Sequence, residues 1–420
     1  MIFSLEVRRA RKGDCLLIHY GTCQDPGLIL IDGGPALVYE SHLKPRLHEL
    51  RAARRLNAHE SLLVDLLVVS HIDDDHIKGI LEMTGELVQA RNAKQPLPLK
   101  IRSCWHNTFD EIIGNDASEL RAAVTAAFGP ASLHGDPDVE GLDPAAAMVL
   151  ASLDQGLRLR DDMRRLSIRV NPEFDGKPVT AGEGRSPIDI GKGLTFTVIG
   201  PMEPELRALQ KAHDAFLQKR ARDRTRAGIA AFTDASVANL SSIVVIATAG
   251  RKRMLLTGDA RGDKILAGLE RAGALESDGG LHVDVLKLPH HGSDRNIARE
   301  FLERITADHY VVSANGEHGN PERATLEMLA EARPQADYTI HFTYDIEALD
   351  EERRSDWNME REKELRRQRT NPGARARAPW SAPTHSLAAF FEAHPAMADG
   401  VRVVDPVAPH VIDLLDPVES

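Results

Sequence analysis

Three apolar runs in this chain of 420 residues end in the same kind of chemistry. "SLLVDLLVVS" runs directly into His71, Asp73, Asp74, Asp75 and His76. "RMLLTGDA" ends at Gly258 and Asp259, and "VDVLKLPHHGS" ends at His290 and His291. Short apolar runs bounded by Gly, Asp and Ser read as buried strands. Strand ends converge on one edge of a sheet, so groups far apart in sequence can meet there. A chain built this way needs a sheet to carry its chemistry. The order strand-strand-strand-helix-strand-loop-helix over the first hundred residues is that of a layered α/β domain.

The first cluster constrains the chemistry. Imidazole and carboxylate groups suit Zn²⁺, Mn²⁺ and Fe. Two histidines and three acids on one turn would repel, or strand charge, if buried without a cation. The plainer alternative is a solvated acidic loop or a helix N-cap. Gly-Asp after a strand is by itself only a common turn. The ordered set of three clusters, each at the end of a strand, carries the argument.

The strand-type runs of the N-terminal third are "IFSLEVRR", "CLLIHY" and "GLILIDGG", and a leucine spacing predicts a helix from Ser41 to about His59. "SLLVDLLVVS" reads as one strand. From about 103 to 190 the pattern turns helical, which predicts an inserted helical subdomain. "LTFTVIGP" resumes the strands, and a helix rich in Lys and Arg is expected from Glu203 to about Arg226. "DYTIHFTY" reads as the last strand of a main body spanning 1–345. The remainder, 346–420, reads as a charged linker and C-terminal extension.

A net charge of −11 argues against a protein that coats nucleic acid by charge alone. Two basic runs, Gln218 to Arg226 and Arg366 to Arg377, could track a nucleic-acid backbone, but such runs are usually solvated faces. Cys15, Cys23 and Cys104 form neither a disulfide framework nor a zinc knuckle, which fits a reducing compartment. The start lacks a secretory pattern and no run reaches membrane-span length, so the expectation is a cytoplasmic protein with no membrane span.

The ordered clusters resemble the metallo-β-lactamase superfamily, whose signature HxHxDH follows a strand and is preceded by a strand ending in Asp-Gly. Here "ILIDGG" supplies Asp32, Gly33 and Gly34. The resemblance covers Met1–Arg102 and Leu194–Tyr344. It implies a four-layer αββα sandwich with two divalent metal ions at one sheet edge, Zn²⁺ or Mn²⁺, with Mg²⁺ possible. Asp73 stands where the family has its second histidine. That variant, with "LLTGDA" and "LKLPHHGS", is similar to the soluble hydrolase domain of competence DNA-uptake channel proteins. "HIKGI" departs from the usual H-x-G-G, with Ile80 at the second glycine.

By the same resemblance, one ion would see His71, Asp73, Asp259 and, where the family has another histidine, Asn239 as the nearest candidate. The other would see Asp75, His76, Asp259 and one of His290 and His291, with His291 favoured because it directly precedes Gly292. The first position is rich in oxygen, which shifts preference toward harder ions. Two cations flanking a water lower its pKa and offset an anionic substrate. Asp75 would also orient the water or take its proton, and His318 in "NGEHGNP" would give a proton to the leaving oxygen or hold a phosphate. Asp32, Ser293, Asn315 and His106 are either supporting partners or turn and cap residues.

The function these features predict is a metal-dependent phosphodiesterase or nuclease with DNA as substrate. Two alternatives stay open. One is a hydrolase of small esters, lactones or phosphocholine-type groups. The other is a metal-bound interaction or effector protein that docks a protein partner through the insertion or the charged tail.

Overall fold

The computed structural model describes residues 1–107, 144–184, 186–207, 241–371 and 373–417. It is a mixed α/β structure with two large sheets and one two-stranded sheet. The first large sheet is built from β1 (Ile2–Val7), β2 (Leu16–Gly21) and β3 (Pro26–Ile31), followed by the short strands β5 (Leu66–Val68), β7 (Ser103–Trp105) and β8 (Arg169–Val170). β1 to β3 are antiparallel, and β3, β5, β7 and β8 run parallel. The second contains β9 (Ile188–Gly191), β10 (Leu194–Gly200), β11 (Val244–Ala249), β12 (Lys252–Leu256), β13 (Leu281–Lys287), β14 (Ile305–Val312) and β15 (Thr339–Phe342). From β12 onward its strands are parallel.

Side-chain alternation explains the packing. Along β3, Ile29 and Ile31 enter one apolar cluster while Leu28 and Leu30 enter another. The first cluster also holds Phe196, Val245 and Met254 of the second sheet, so the two sheets share one core. The outer face of the first sheet is covered by α1 (Lys44–Ala53), α2 (Asp74–Asn92) and α3 (Pro144–Leu166), whose apolar residues join Leu28 and Leu30. The second sheet is covered by α4 (Gly262–Ala272), α5 (Arg299–Arg304) and α6 (Arg323–Ala332). Strands buried on both faces read as nearly continuous apolar runs, as observed here.

The run 61–70 is two strands rather than one. β4 (Leu62–Val64) pairs with β6 (Leu99–Ile101) in the small sheet, and β5 belongs to the first large sheet. The break falls at Asp65, whose carboxylate accepts the Leu28 N–H (3.2 Å) and meets Arg102 (2.9 Å). An acid inside an apolar run is satisfied only by leaving the register. The helix expected from Ser41 to about His59 is an α-helix only over α1, entered through a π-type turn at Tyr39–Leu43.

After β15 the chain forms the charged helix α7 (Ile346–Thr370) and then α8 (Leu387–Ala393). Two further strands follow. β16 (Val401–Val403) extends the second sheet beside β15, and β17 (His410–Asp413) extends the first beside β1. The segment 346–420 therefore supplies an edge strand to each sheet. Residues 108–143 of the expected helical insertion lie outside the described residues, as do 208–226 of the expected basic helix. No described helix is long and apolar enough to cross a membrane.

One backbone crossing sets the position of α2. Gly79 and Gly33 pack so closely that a Cβ on Gly79 would lie 2.0 Å from the Gly33 carbonyl oxygen. Their segments are tied by Gly33 N–H to His76 O (2.8 Å) and Gly79 N–H to Gly34 O (3.0 Å). Ile80, at the departure from H-x-G-G, is fully buried and fills core instead. Gly79→Ala is expected to destabilise the fold by about 2–3 kcal/mol in urea titration, from overpacking against backbone. An unchanged midpoint would show that the crossing has slack.

Candidate metal centre

The strand ends bring most of the sequence-derived candidates together. Asp75, His76, Asp259 and His291 are all buried, and one ligand atom from each lies within 4.8 Å of every other. Asp259 Oδ1 is 3.3 Å from His76 Nε2 and 3.4 Å from His291 Nε2, and His291 Nε2 is 3.6 Å from Asp75 Oδ2. Four donors about 2.0–2.2 Å from one ion in a tetrahedron stand roughly 3.3–3.6 Å apart, which these spacings match.

Asp259 also faces a second group. Its Oδ2 lies 3.6 Å from His71 Nε2 and 3.7 Å from His290 Nε2, and His71 Nε2 is 3.6 Å from Asp73 Oδ2. The two oxygens of one carboxylate thus address two sets of ligands. His290 and His291 point at different oxygens, so both face the centre. Asn239 lies outside the described residues.

The buried ligand atoms are otherwise orphaned. Among the described residues, Nε2 of His71, His76 and His291, and Oδ1 of Asp73, Asp75 and Asp259, have no hydrogen-bond partner. Buried polar atoms are nearly always paired, so a convergent set of orphans marks a site for a cation. The other ring nitrogens are held. His76 Nδ1 donates to Asp32 Oδ2 (2.8 Å) and His291 Nδ1 donates to the Ser313 carbonyl (2.8 Å). Ser70 donates to Asp32 through both its N–H (2.7 Å) and its hydroxyl (2.6 Å). The Ser70 oxygen is then the acceptor for His71 Nδ1, 3.1 Å away. Each ring thereby presents a bare Nε2 to the centre once it is neutral.

Three residues of the centre sit in the left-handed region. His290 and His291 have φ of +46° and +56°, and Asp32 has +57°. Such values cost about 1–3 kcal/mol each outside glycine and persist only where surroundings fix them. The His290 N–H bonds Gly258 O (3.1 Å), and Thr325 Oγ1 bonds Gly292 O (2.8 Å), which pins the loop.

Two contributors were not singled out from the sequence. Lys287 is fully buried, with Nζ 2.5 Å from Asp14 Oδ2, 3.1 Å from Gly258 O and 3.8 Å from Asp259 Oδ1. Asp14, Asp32 and His76 form a second buried cluster of ligand type directly behind the first. The Lys287 ammonium supplies the cation on the Asp14 side of that cluster. In sequence they are one acid in "KGDC" and one lysine in "LKLPHH", each beside a strand and each with an opposite charge a few residues away.

Other candidates fall elsewhere. Asp74 turns away, contacting Lys78 and Gln155. Asn315 closes a turn with Glu317, and His106 is buried with its N–H on Asn171 Oδ1. Ser293 is buried in the pinned loop. His318 is exposed beside Lys12 Nζ (3.2 Å). Lys12 precedes Gly13, which packs on the Asp75 carbonyl, so this pair stands at the rim. In the second basic run Arg377 pairs with Glu364 and lies over the Trp357 ring at 5.0 Å, and Arg353 lies over Trp380 at 5.5 Å. Those cations and ring faces are already engaged.

The charges of the centre are set by burial and by one another. Burial pushes His71 down to about 3, helped by His76, so it is neutral. Burial opposes a proton on His291, but Asp259 outweighs it and pushes the group up to about 9. The same balance, with Asp259, Asp32 and Asp75, holds His76 well above the usual histidine value. Burial, then Asp75 and Asp259, push Asp73 up to about 8. At neutral pH three ligands therefore carry protons that a cation must displace. Apparent metal affinity is expected to rise with pH from 6.5 through about 9, with protons released on binding. The sign follows from raised pKa values, since these groups hold their protons to higher pH than free side chains. A chelator-competition titration across that range checks it, and a flat profile would contradict it.

No family model matches the chain. A stretch of 67 residues, 15% of this chain, is 39% identical to microtubule-associated protein 1A of Rattus norvegicus, of which it spans 2%. Among solved structures, a presumed metal-dependent hydrolase from Parabacteroides distasonis aligns over 81% of this chain and 98% of its own, at 8% identity and a TM-score of 0.30. Likenesses this limited leave function to be argued from the site itself.

Proposed function

We propose that this protein is a metal-dependent hydrolase of phosphodiesters, with DNA as its substrate. The observation that carries the reading is the convergent set of orphaned, buried ligand atoms on His71, Asp73, Asp75, His76, Asp259 and His291. Support for the fold family comes from two sheets sharing a core, helices on both outer faces, and ligands at one edge, the order of a metallo-β-lactamase sandwich. Support for the DNA-processing branch comes from Asp73 in HxDxDH and from the "LLTGD" and "HHGS" elements.

Divalent ions held here would polarise a water and offset the charge of a phosphodiester. The chain's own groups do the rest. Asp259 spans both ligand sets, and Asp32 fixes the His76 ring. Asp75, facing both His76 and His291, is the carboxylate placed to orient the water and accept its proton. Lys12 at the rim, its ammonium shared with His318 Nε2 (3.2 Å) and Glu317 (3.6 Å), stands where a phosphate would approach.

The test is cleavage of single- and double-stranded DNA with Mn²⁺, Mg²⁺ or Zn²⁺, compared with Asp75→Ala and His76→Ala. Metal-stimulated cleavage lost in both variants is expected. Hydrolysis of a chromogenic ester or lactone with none of DNA would replace this reading by the small-substrate one.

A further inference from the structure

A cleft of about 490 Å³ opens at the end of the first sheet opposite the metal centre. Its wall includes Pro26, where β3 begins, whereas Asp32 of the centre follows where β3 ends. Six strand steps of about 3.3 Å separate them by roughly 20 Å. The volume falls within the range of small-molecule pockets.

The positive charge in the cleft is compensated only in part. Arg54, Arg55 and Lys192 line it, together with Asp25. Lys192 is engaged with Asp25 at 2.6 Å. Asp65 and Asp25 are the acids that attract Arg54, but Asp65 is paired with Arg102 at 2.9 Å and Asp25 with Lys192. Among the described residues no carboxylate lies within ion-pair distance of Arg54 or Arg55. Two guanidinium groups are left over, on a protein whose net charge is −11.

The backbone supports a use for them. Arg54 caps the C-terminus of α1, and Arg55 follows at φ +53°. That position after a helix is usually glycine, because a side chain there is strained. Arg54 and Arg55 are thereby consecutive residues of one cleft wall. Ile2, Leu56 and Leu63 supply an apolar wall beside them.

We infer that this cleft is a binding site for a phosphate monoester of nucleotide size. The phosphate would meet Arg54 and Arg55, and the body of the ligand would lie on the Ile2, Leu56 and Leu63 wall. A phosphate monoester carries nearly two negative charges at neutral pH, which matches the two unpaired guanidinium groups. Arginine is suited to phosphate through its fork of donors. The site stands on its own residues and does not depend on the hydrolase reading.

The test is calorimetric titration of the full-length protein with adenosine 5′-monophosphate and with inorganic phosphate. The comparison uses Arg54→Gln, Arg54→Gln/Arg55→Gln and Asp259→Ala. The expected result is one binding event per chain that is tighter for the nucleotide than for phosphate. It should weaken at least tenfold in Arg54→Gln, and more in the double variant, and persist in Asp259→Ala, where the metal centre is lost. Unliganded variants should keep the wild-type unfolding midpoint. No binding at millimolar nucleotide, unchanged affinity in the arginine variants, or loss of binding in Asp259→Ala alone would overturn the site.

Discussion

Asp259→Ala is expected to cut metal affinity by more than 100-fold. Removing a residue that merely orients a metal ligand typically costs on the order of 10–100-fold. Asp259 does more, since its two oxygens face two ligand sets, at 3.3 and 3.4 Å on one side and 3.6 and 3.7 Å on the other. Its loss also leaves His76 and His291 without the carboxylate that holds their protons, so both should titrate at lower pH in the variant. Asp32→Ala, which frees only the His76 ring, should fall within the 10–100-fold range. Competition titration with a chromophoric chelator separates the two. Comparable losses in both variants would mean that Asp259 is an ordinary ligand to one ion.

Lys287→Met is expected to destabilise the protein by about 3–5 kcal/mol, the cost of breaking a buried ion pair from one side. The lysine is fully buried, and its ammonium lies against Asp14, Gly258 O and Asp259. Burial works against its charge, but Asp14 and Asp259 outweigh that and keep it protonated. Removing it strands the Asp14 carboxylate, whose Oδ1 already has no hydrogen bond. The double variant Lys287→Met/Asp14→Leu should recover much of the loss, because both partners then become apolar. Urea unfolding of the four proteins forms the cycle. A double variant as unstable as the sum of the singles would show that the two groups act independently.

How much of this was legible in sequence depended on locality. The short apolar runs of β1 to β3 and of β11 to β13 carry their own signal, and the strand-end clusters at His71–His76, Asp259 and His290–His291 follow from it. The split of 61–70 was not legible, because nothing local shows that Asp65 finds Leu28 and Arg102. The two edge strands at 401–403 and 410–413 are only three and four residues long, and they exist only because β15 and β1 offer unpaired edges. In the site, histidines and clustered acids announce themselves. Asp14 and Lys287 do not, since each looks like a surface charge until the fold buries them together. The separate aims of His290 and His291 depend on two consecutive left-handed residues, a backbone event that adjacent identical letters conceal.

The account rests on one buried carboxylate, Asp259, whose two oxygens face two groups of candidate metal ligands. Its most direct test is the metal content of the full-length protein after loading with Mn²⁺ or Zn²⁺ and removal of free ion, read by elemental analysis. Two ions per chain in the wild type, with none retained in Asp259→Ala, is the predicted result. A wild-type protein that retains no ion, or an Asp259→Ala variant that retains both, would contradict it.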